Sequence, residues 1–351
     1  MHHRGASAPG LPSESGPRLP APRGPLSAEL FAHLRGERLL ATTGASCPEA
    51  VWLDDDAQLA LYCCYEMHYR GFAGVAADAE WDPAVLGLRG RLEQRFLSEL
   101  HDIAWPGSAV DPAGAEAHLV AMAAPGPGPS LSAWVLEHGT IAHLREFCIH
   151  RSAYQLKEAD PHTWALPRLA GEAKAAMVQI QTDEYGQGCA GAAHAELFAE
   201  TMQLLDLDPT YGAYLDRLPA AALATTNLVS LFGLHRRWRG ALVGHLALFE
   251  MTSVGPMARY AEALERAGVP RGARRFYDVH VAVDAHHHRV ALEHMVRGLL
   301  RDEPHLAGDV VFGAAALSAV EARFATHLLD AWRAGRPSLR PEREEPRDLP
   351  D

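Results

Sequence analysis

At 351 residues, with 48% hydrophobic and 22% charged content, the chain can bury a substantial core as one large domain or two smaller ones. Its 32 basic side chains against 44 acidic ones leave a formal charge of −12, which argues against nucleic acid or an anionic membrane as partner. No apolar run approaches the roughly 18 residues a membrane span needs. The five cysteines (Cys47, Cys63, Cys64, Cys148, Cys189) lack CxxC spacing, as expected of buried free thiols in a reducing cytoplasm.

In chain order, residues 1–26 are rich in Pro, Gly and Ser without a signal-like apolar stretch, and read as a disordered N-terminal tail. Residues 27–124 read as an accessory helical segment, in which Leu86–Leu100 shows apolar positions at i, i+3, i+4 and i+7. Pro125-Gly-Pro-Gly-Pro129 is the strongest internal breaker. Beyond it, residues 131–333 form the main domain, with helices expected over Ser130–Glu137, Ile141–Lys157, Gly171–Glu184, Ala192–Leu205, Tyr211–Leu218, Ala220–Leu234, Arg237–Thr252, Met257–Ala267, Arg274–Leu300 and Ala314–Arg333. Residues 334–351 are charged and Pro-rich, a flexible C-terminal tail. Alternating β-branched patterns are scarce and no fixed-period repeat occurs, so the expected class is all-α.

The most informative stretch is His280-Val-Ala-Val-Asp284-Ala-His286-His287. At roughly 100° per residue, His280, Asp284 and His287 fall within about 60° of one another on one helix face. Two imidazoles and a carboxylate make half of a transition-metal site, whereas His286 and His288 lie off that face. Glu158, Glu184, His194 and Glu250 could supply the other half. Glu250 ends the mostly apolar run Gly244–Glu250, and a charge buried there must be paired or metal-bound. Each of the four also has a plain reading, as a solvated helix charge or a satisfied histidine. Gly186, Gly188 and Gly191 separate Glu184 from His194; they either distort a helix so that both ligands converge, or end it after Tyr185.

The ordered series Glu158…Asp183-Glu-Tyr-Gly-x-Gly…His194…Glu250…His280-x3-Asp284-x2-His287 resembles the ligand series of the haem-oxygenase-like diiron oxidases and oxygenases, the iron-containing redox enzymes. The resemblance covers about Phe147 to Leu300 and is supported by Trp164-Ala-Leu-Pro-Arg168, Asn227 and Phe276-Tyr277. It implies a seven-helix haem-oxygenase-like bundle that binds no haem, with the N-terminal segment added to it. It also implies that Glu158, Glu184, His194, Glu250, His280, Asp284 and His287 hold two Fe(II) ions. The implied activity is an O2-dependent non-haem diiron oxidation of a small-molecule substrate. N-oxygenation, oxidative C–C cleavage or desaturation of an amino-acid-, amine- or fatty-acid-like molecule would fit, with O2 as co-substrate and an external electron donor.

The alternative is a ferritin-like or non-catalytic metal-binding helical protein. The ferritin-like pattern needs Glu-x-x-His on two helices, and the sequence contains none. A haem-binding reading would rest on His33 and leave the seven-residue set unexplained. Arg237, Arg239 and Lys174 could bind a substrate carboxylate, and Tyr185 and Tyr277 adjoin candidate ligands. Glu66 and His68 point about 160° apart on a helix, so they read as structural. A homodimer built partly through the N-terminal segment is expected.

Overall fold

The computed structural model describes residues 16–40, 48, 50–105, 110–126, 128 and 130–342. Among these residues the secondary structure is helical without a β-strand, and the protein is all-α. The chain divides into two compact units, Met1–Glu99 and Leu100–Asp351.

The first unit contains α1 (Pro25–Leu34), α2 (Asp55–Glu66) and most of α3 (Pro83–Ala104). Helix α1 begins on Pro25, and its free amides at Leu26 and Ser27 donate to the Asp56 carboxylate of α2 at 2.8 and 2.9 Å. Helix α2 starts on an Asp54 cap and is buried on nearly every face, which makes it the core of this unit. His68 takes a hydrogen bond from Arg89 at 2.6 Å and lies 3.3 Å from Glu80, while Glu66 accepts from the Arg70 amide. The pair therefore has separate structural partners. Residues 1–15 of the expected N-terminal tail, and Cys47, lie outside the described residues. The rest of that tail is pinned, with Pro17 buried and its carbonyl accepting from Ala73.

The second unit holds α4 (Pro112–Ala123), α5 (Leu131–His138), α6 (Ile141–Gln155), α7 (Asp160–Thr163), α8 (Gly171–Glu184), α9 (His194–Leu204), α10 (Ala220–Leu234), α11 (Arg239–Thr252), α12 (Val254–Arg266), α13 (Arg275–Arg289), α14 (Arg297–Asp302) and α15 (Ala307–Arg333). A π-helical segment, Val290–Val296, joins α13 to α14. The sequence reading places residues 112–123 in the accessory segment, but α4 packs on α11 and α15 through Ala115 and Leu119 and belongs to the second unit. Helix α15 is apolar enough to pass as a membrane span by length and composition. Its most apolar stretch is 56% buried within the protein, as a core helix requires.

Helices α11 and α15 set the spacing of this bundle. A Cβ on Gly244 would lie 1.9 Å from the Val310 carbonyl oxygen, and one on Gly313 would lie 1.9 Å from that of Ala241. Only hydrogen fits at either crossing point, so the two backbones touch. The contact orients α11, which carries Glu250 near its end.

Three further expectations differ from the structure. Tyr211–Leu218 is not an α-helix but turns and a short 3-10 piece, because Asp206 and Gly212 adopt positive φ on either side of Pro209. The helix expected over Arg274–Leu300 switches to π winding at Val290. The C-terminal tail is tied down as far as Glu342: Ser338 is buried and bonds to Glu146 and His150, and the Arg340 amide donates to Arg217.

The α11–α15 contact gives a substitution test. Gly244→Ala is expected to lower stability by about 2–3 kcal/mol through overpacking. Gly90→Ala, on an open face of α3, should instead raise it by up to about 1 kcal/mol. Urea unfolding of both variants checks the opposite signs.

Candidate metal centre

Each candidate ligand is delivered by a specific local device. Helix α6 stops at Gln155, and Glu158 follows in a tight bend. The next residue, Ala159, has φ 61° and ψ −42°, and the Asp160 amide donates back to the Glu158 carbonyl at 2.5 Å. This is a γ-turn of the strained, positive-φ kind, costing about 1–3 kcal/mol for a non-glycine residue. It is held from both sides. Gln181 Nε2 donates to the Ala159 carbonyl at 3.3 Å, and α7 packs so closely on α10 that a Cβ on Gly233 would meet the Pro161 oxygen at 2.5 Å.

Glu184 is the last residue of α8, and His194 the first of α9. Gly186, Gly188 and Gly191 all take positive φ, and a Cβ on Gly186 would lie 2.3 Å from the Ala192 carbonyl carbon. The helix therefore ends, and the same glycines fold the chain back. Both readings left open by the sequence contribute. The Glu196 carboxylate caps the new helix through the amides of Gly191 and Ala193. His194 Nδ1 arrives 2.9 Å from Glu184 Oε2. His280, Asp284 and His287 share the inner face of α13 and are 4%, 2% and 0% exposed.

These residues converge as two overlapping groups. Donor atoms of Glu158, Glu184, His194 and His280 lie within 4.8 Å of one another, as do those of Glu184, Glu250 and His287. Glu184 belongs to both. Asp284 adjoins the second group, its Oδ1 3.6 Å from His287 Nδ1, which is also 3.3 Å from Glu250 Oε2. Two of the imidazoles are aimed through their other nitrogen. His280 Nδ1 donates to the Phe276 carbonyl at 2.8 Å, and His287 Nε2 donates to Asp183 at 2.7 Å. Asp183, which also accepts from Gln187, thus fixes the ring that faces Glu250 and Asp284.

The donor set fits a cation. Glu158 Oε2, His194 Nδ1, Glu250 Oε2, Asp284 Oδ1 and His287 Nδ1 are all buried without a well-directed hydrogen bond, although His194 Nδ1 lies close to Glu184 and His287 Nδ1 close to Glu250. Each such atom costs about 1–3 kcal/mol, so five in one cluster call for a ligand that satisfies them together. Carboxylate and imidazole donors without thiolate suit iron or manganese. The protonation pattern agrees. Burial, with Glu184, Asp284 and Glu250 nearby, holds Glu158 well above the usual carboxylate range. Burial likewise pushes Glu250 up to about 8, aided by Asp284 and Glu184. Glu184 resists its burial through His194 and drops to about 2. His287 rises to about 11 against its burial, through Asp284, Glu250 and Asp183. Without a cation, protons stand in for one.

A cavity of about 400 Å³ has this cluster as its floor, with Glu158, Glu184, Glu250, His280 and Asp284 in its lining. Phe147, Tyr154, Phe249, Tyr260 and Tyr277 form aromatic walls, and the exposed residues Ser130, Ser318 and Ala322 mark where it reaches the surface. Arg151 also lines it and is clamped to Glu321 by two parallel hydrogen bonds.

Of the residues considered for substrate binding, Tyr277 lines the cavity; Arg237, Arg239, Lys174 and Tyr185 do not. Arg239 pairs with Glu303, Arg237 stacks on Trp238, and Tyr185 bonds to Thr163 and Asp160. His33 bonds to Asp82 and the Leu40 amide. Cys63, Cys64 and Cys148 are buried and outside any disulfide, as expected, but Cys189 is exposed in the glycine loop. Sequence reasoning missed Arg151 and the orienting role of Asp183. Asp183 stands next to Glu184, where a second acid could have been weighed as a histidine partner.

Two outcomes follow from this geometry. Asp183→Asn should lower Fe(II) affinity by about 10–100-fold with the helical fold retained, as measured by anaerobic titration. A carboxylate with a raised pKa is protonated at pH 7 and must lose its proton to bind a metal. Fe(II) uptake should therefore release protons and weaken as the pH falls from 8 to 6, which a pH-indicator dye in weakly buffered solution records.

The chain is similar to a CADD-like protein of unknown function from Nostoc punctiforme PCC 73102, solved in two crystal structures. These match at 13% and 12% identity, each with a TM-score of 0.45, covering 69% and 70% of this chain and 98% of the other. No protein of curated function matches. The family model described as iron-containing redox enzyme matches residues 145–322, just over half of the chain and a span within which the candidate ligands fall. The chain belongs to the family of iron-containing redox enzymes.

Proposed function

We propose that the protein is a non-haem diiron oxidase or oxygenase that uses O2 to oxidise a small molecule held in the cavity. The observation that carries this reading is the pair of donor groups sharing Glu184, with five polar atoms in the cluster that lack a well-directed hydrogen bond. Glu158, His194 and His280 would hold one iron, and Glu250, Asp284 and His287 the other, with Glu184 between them. Bound Fe(II) supplies electrons for O2 reduction, and an external donor restores them.

The chain's own residues set the conditions. Asp183 and the Phe276 carbonyl hold His287 and His280 with one nitrogen toward the cluster. The aromatic walls surround the floor with apolar surface, which strengthens the charge interactions there. A ferritin-like or purely structural metal protein has no need of a cavity running from the surface to the metals. Here such a cavity opens directly onto the candidate ligands, which favours turnover of a small molecule.

The test is anaerobic Fe(II) loading followed by O2 exposure in an oxygen electrode. The wild type should take up two irons per chain and consume O2. Glu184→Ala should lose both irons because it serves both groups, whereas His287→Ala should lose one. Two irons retained by Glu184→Ala, or an iron-loaded wild type inert to O2, would overturn the assignment.

A further inference from the structure

Three polar atoms in the cavity lining belong to no candidate ligand and have no hydrogen-bond partner. They are Oε1 of Gln155, Oε1 of Gln181 and Oγ of Ser253, all buried. The two glutamines are only 5% and 4% exposed. Their placement follows the candidate ligands. Gln155 precedes Glu158 by three residues and Gln181 precedes Glu184 by three, while Ser253 follows Glu250 by three. On α8 that spacing is one helical turn, so Gln181 shares the face of Glu184.

The chemistry of these atoms narrows the ligand. A glutamine oxygen only accepts hydrogen bonds, and Gln181 cannot exchange its amide ends without losing the bond from Nε2 to the Ala159 carbonyl. The terminal amide torsion is soft, so a small rotation brings either oxygen to a donor in the cavity. Cations available to an acid are missing from the same lining among the described residues. Arg151 is spent on Glu321, and His162 is hydrogen-bonded to His245 at 3.1 Å. With the metal ions matched by the four carboxylates below, a carboxylate head would find no free counter-charge in the walls. An N–H donor would meet unpartnered acceptor oxygens from α6 and α8.

We propose that Gln155 and Gln181 form a head-group subsite for a primary amine carried on an apolar body, with Ser253 as an additional acceptor. The ammonium donates to the two amide oxygens, and the body lies along Phe147, Tyr154, Phe249 and Tyr260. This substrate class rests on the reading of the cavity floor as the reaction centre.

Calorimetric titration of the iron-loaded full chain under argon with n-octylamine, 1-octanol and octanoate tests the subsite. Octylamine should bind at least about tenfold more tightly than either analogue, and Gln155→Leu or Gln181→Leu should each weaken it by about tenfold or more. Octanol affinity should stay within about twofold in both variants. Gln155→Glu, which keeps the acceptor and leaves the Gln181 bond to the Ala159 carbonyl intact, should hold octylamine as well as the wild type or better, and guards against a variant that merely misfolds. Octanoate binding as tightly as octylamine, or Leu variants binding octylamine like the wild type, overturns the subsite. Iron content measured on the same samples separates the two readings. Gln variants that keep two irons but lose octylamine support the subsite. A chain that binds no iron yet selects octylamine through both glutamines overturns the diiron assignment and leaves the subsite standing.

Discussion

Four carboxylates buried around one point, Glu158, Glu184, Glu250 and Asp284, are the constraint on which the second unit depends. Ionised together they would repel strongly in a low-dielectric interior, so the cluster needs protons or a cation beside its three imidazoles. The surrounding architecture serves to hold that arrangement against its own repulsion. Helices α11 and α15 touch backbone to backbone, α7 is pressed onto Gly233, and the Gly186 bend leaves no room for a side chain. Each of these contacts lies next to an element that carries a candidate ligand.

The same constraint explains why the helix bearing His280, Asp284 and His287 does not continue regularly. Immediately after the ligand face it widens into a π segment, which packs against α8 and α11. Those are the helices that carry Glu184 and Glu250. Such segments are rare, and where they occur they often adjoin functional sites. The wider turn lets one helix present its ligands inward and then settle its apolar residues Val290, Ala291, Met295 and Val296 into the core.

Much of this was legible in the sequence, for identifiable reasons. The α13 triad followed from helical periodicity alone, because i, i+4 and i+7 remain on one face whatever the surroundings. Glu250 was marked by its apolar neighbours, and most helix limits in the second unit were set by Gly, Pro or capping residues. Other features depended on tertiary placement. No local pattern announces that Ala159 takes positive φ, since alanine ordinarily avoids it. The π switch at Val290 has neither Pro nor Gly to mark it. Arg151 and the two glutamines acquire meaning only when α6, α8 and α15 enclose one cavity. Tyr211–Leu218 carried apolar spacing without the backbone freedom to be a helix.

The bend at Ala159 has one more consequence. Relaxing its strain means changing the backbone between α6 and α7, and that change would carry the Glu158 carboxylate away from its neighbours. On the proposed reading, a metal held through Glu158 acts as a latch on a sprung joint. Occupancy of the centre and closure of this corner then form one linked equilibrium, in which ligand binding to the closed state draws the backbone with it.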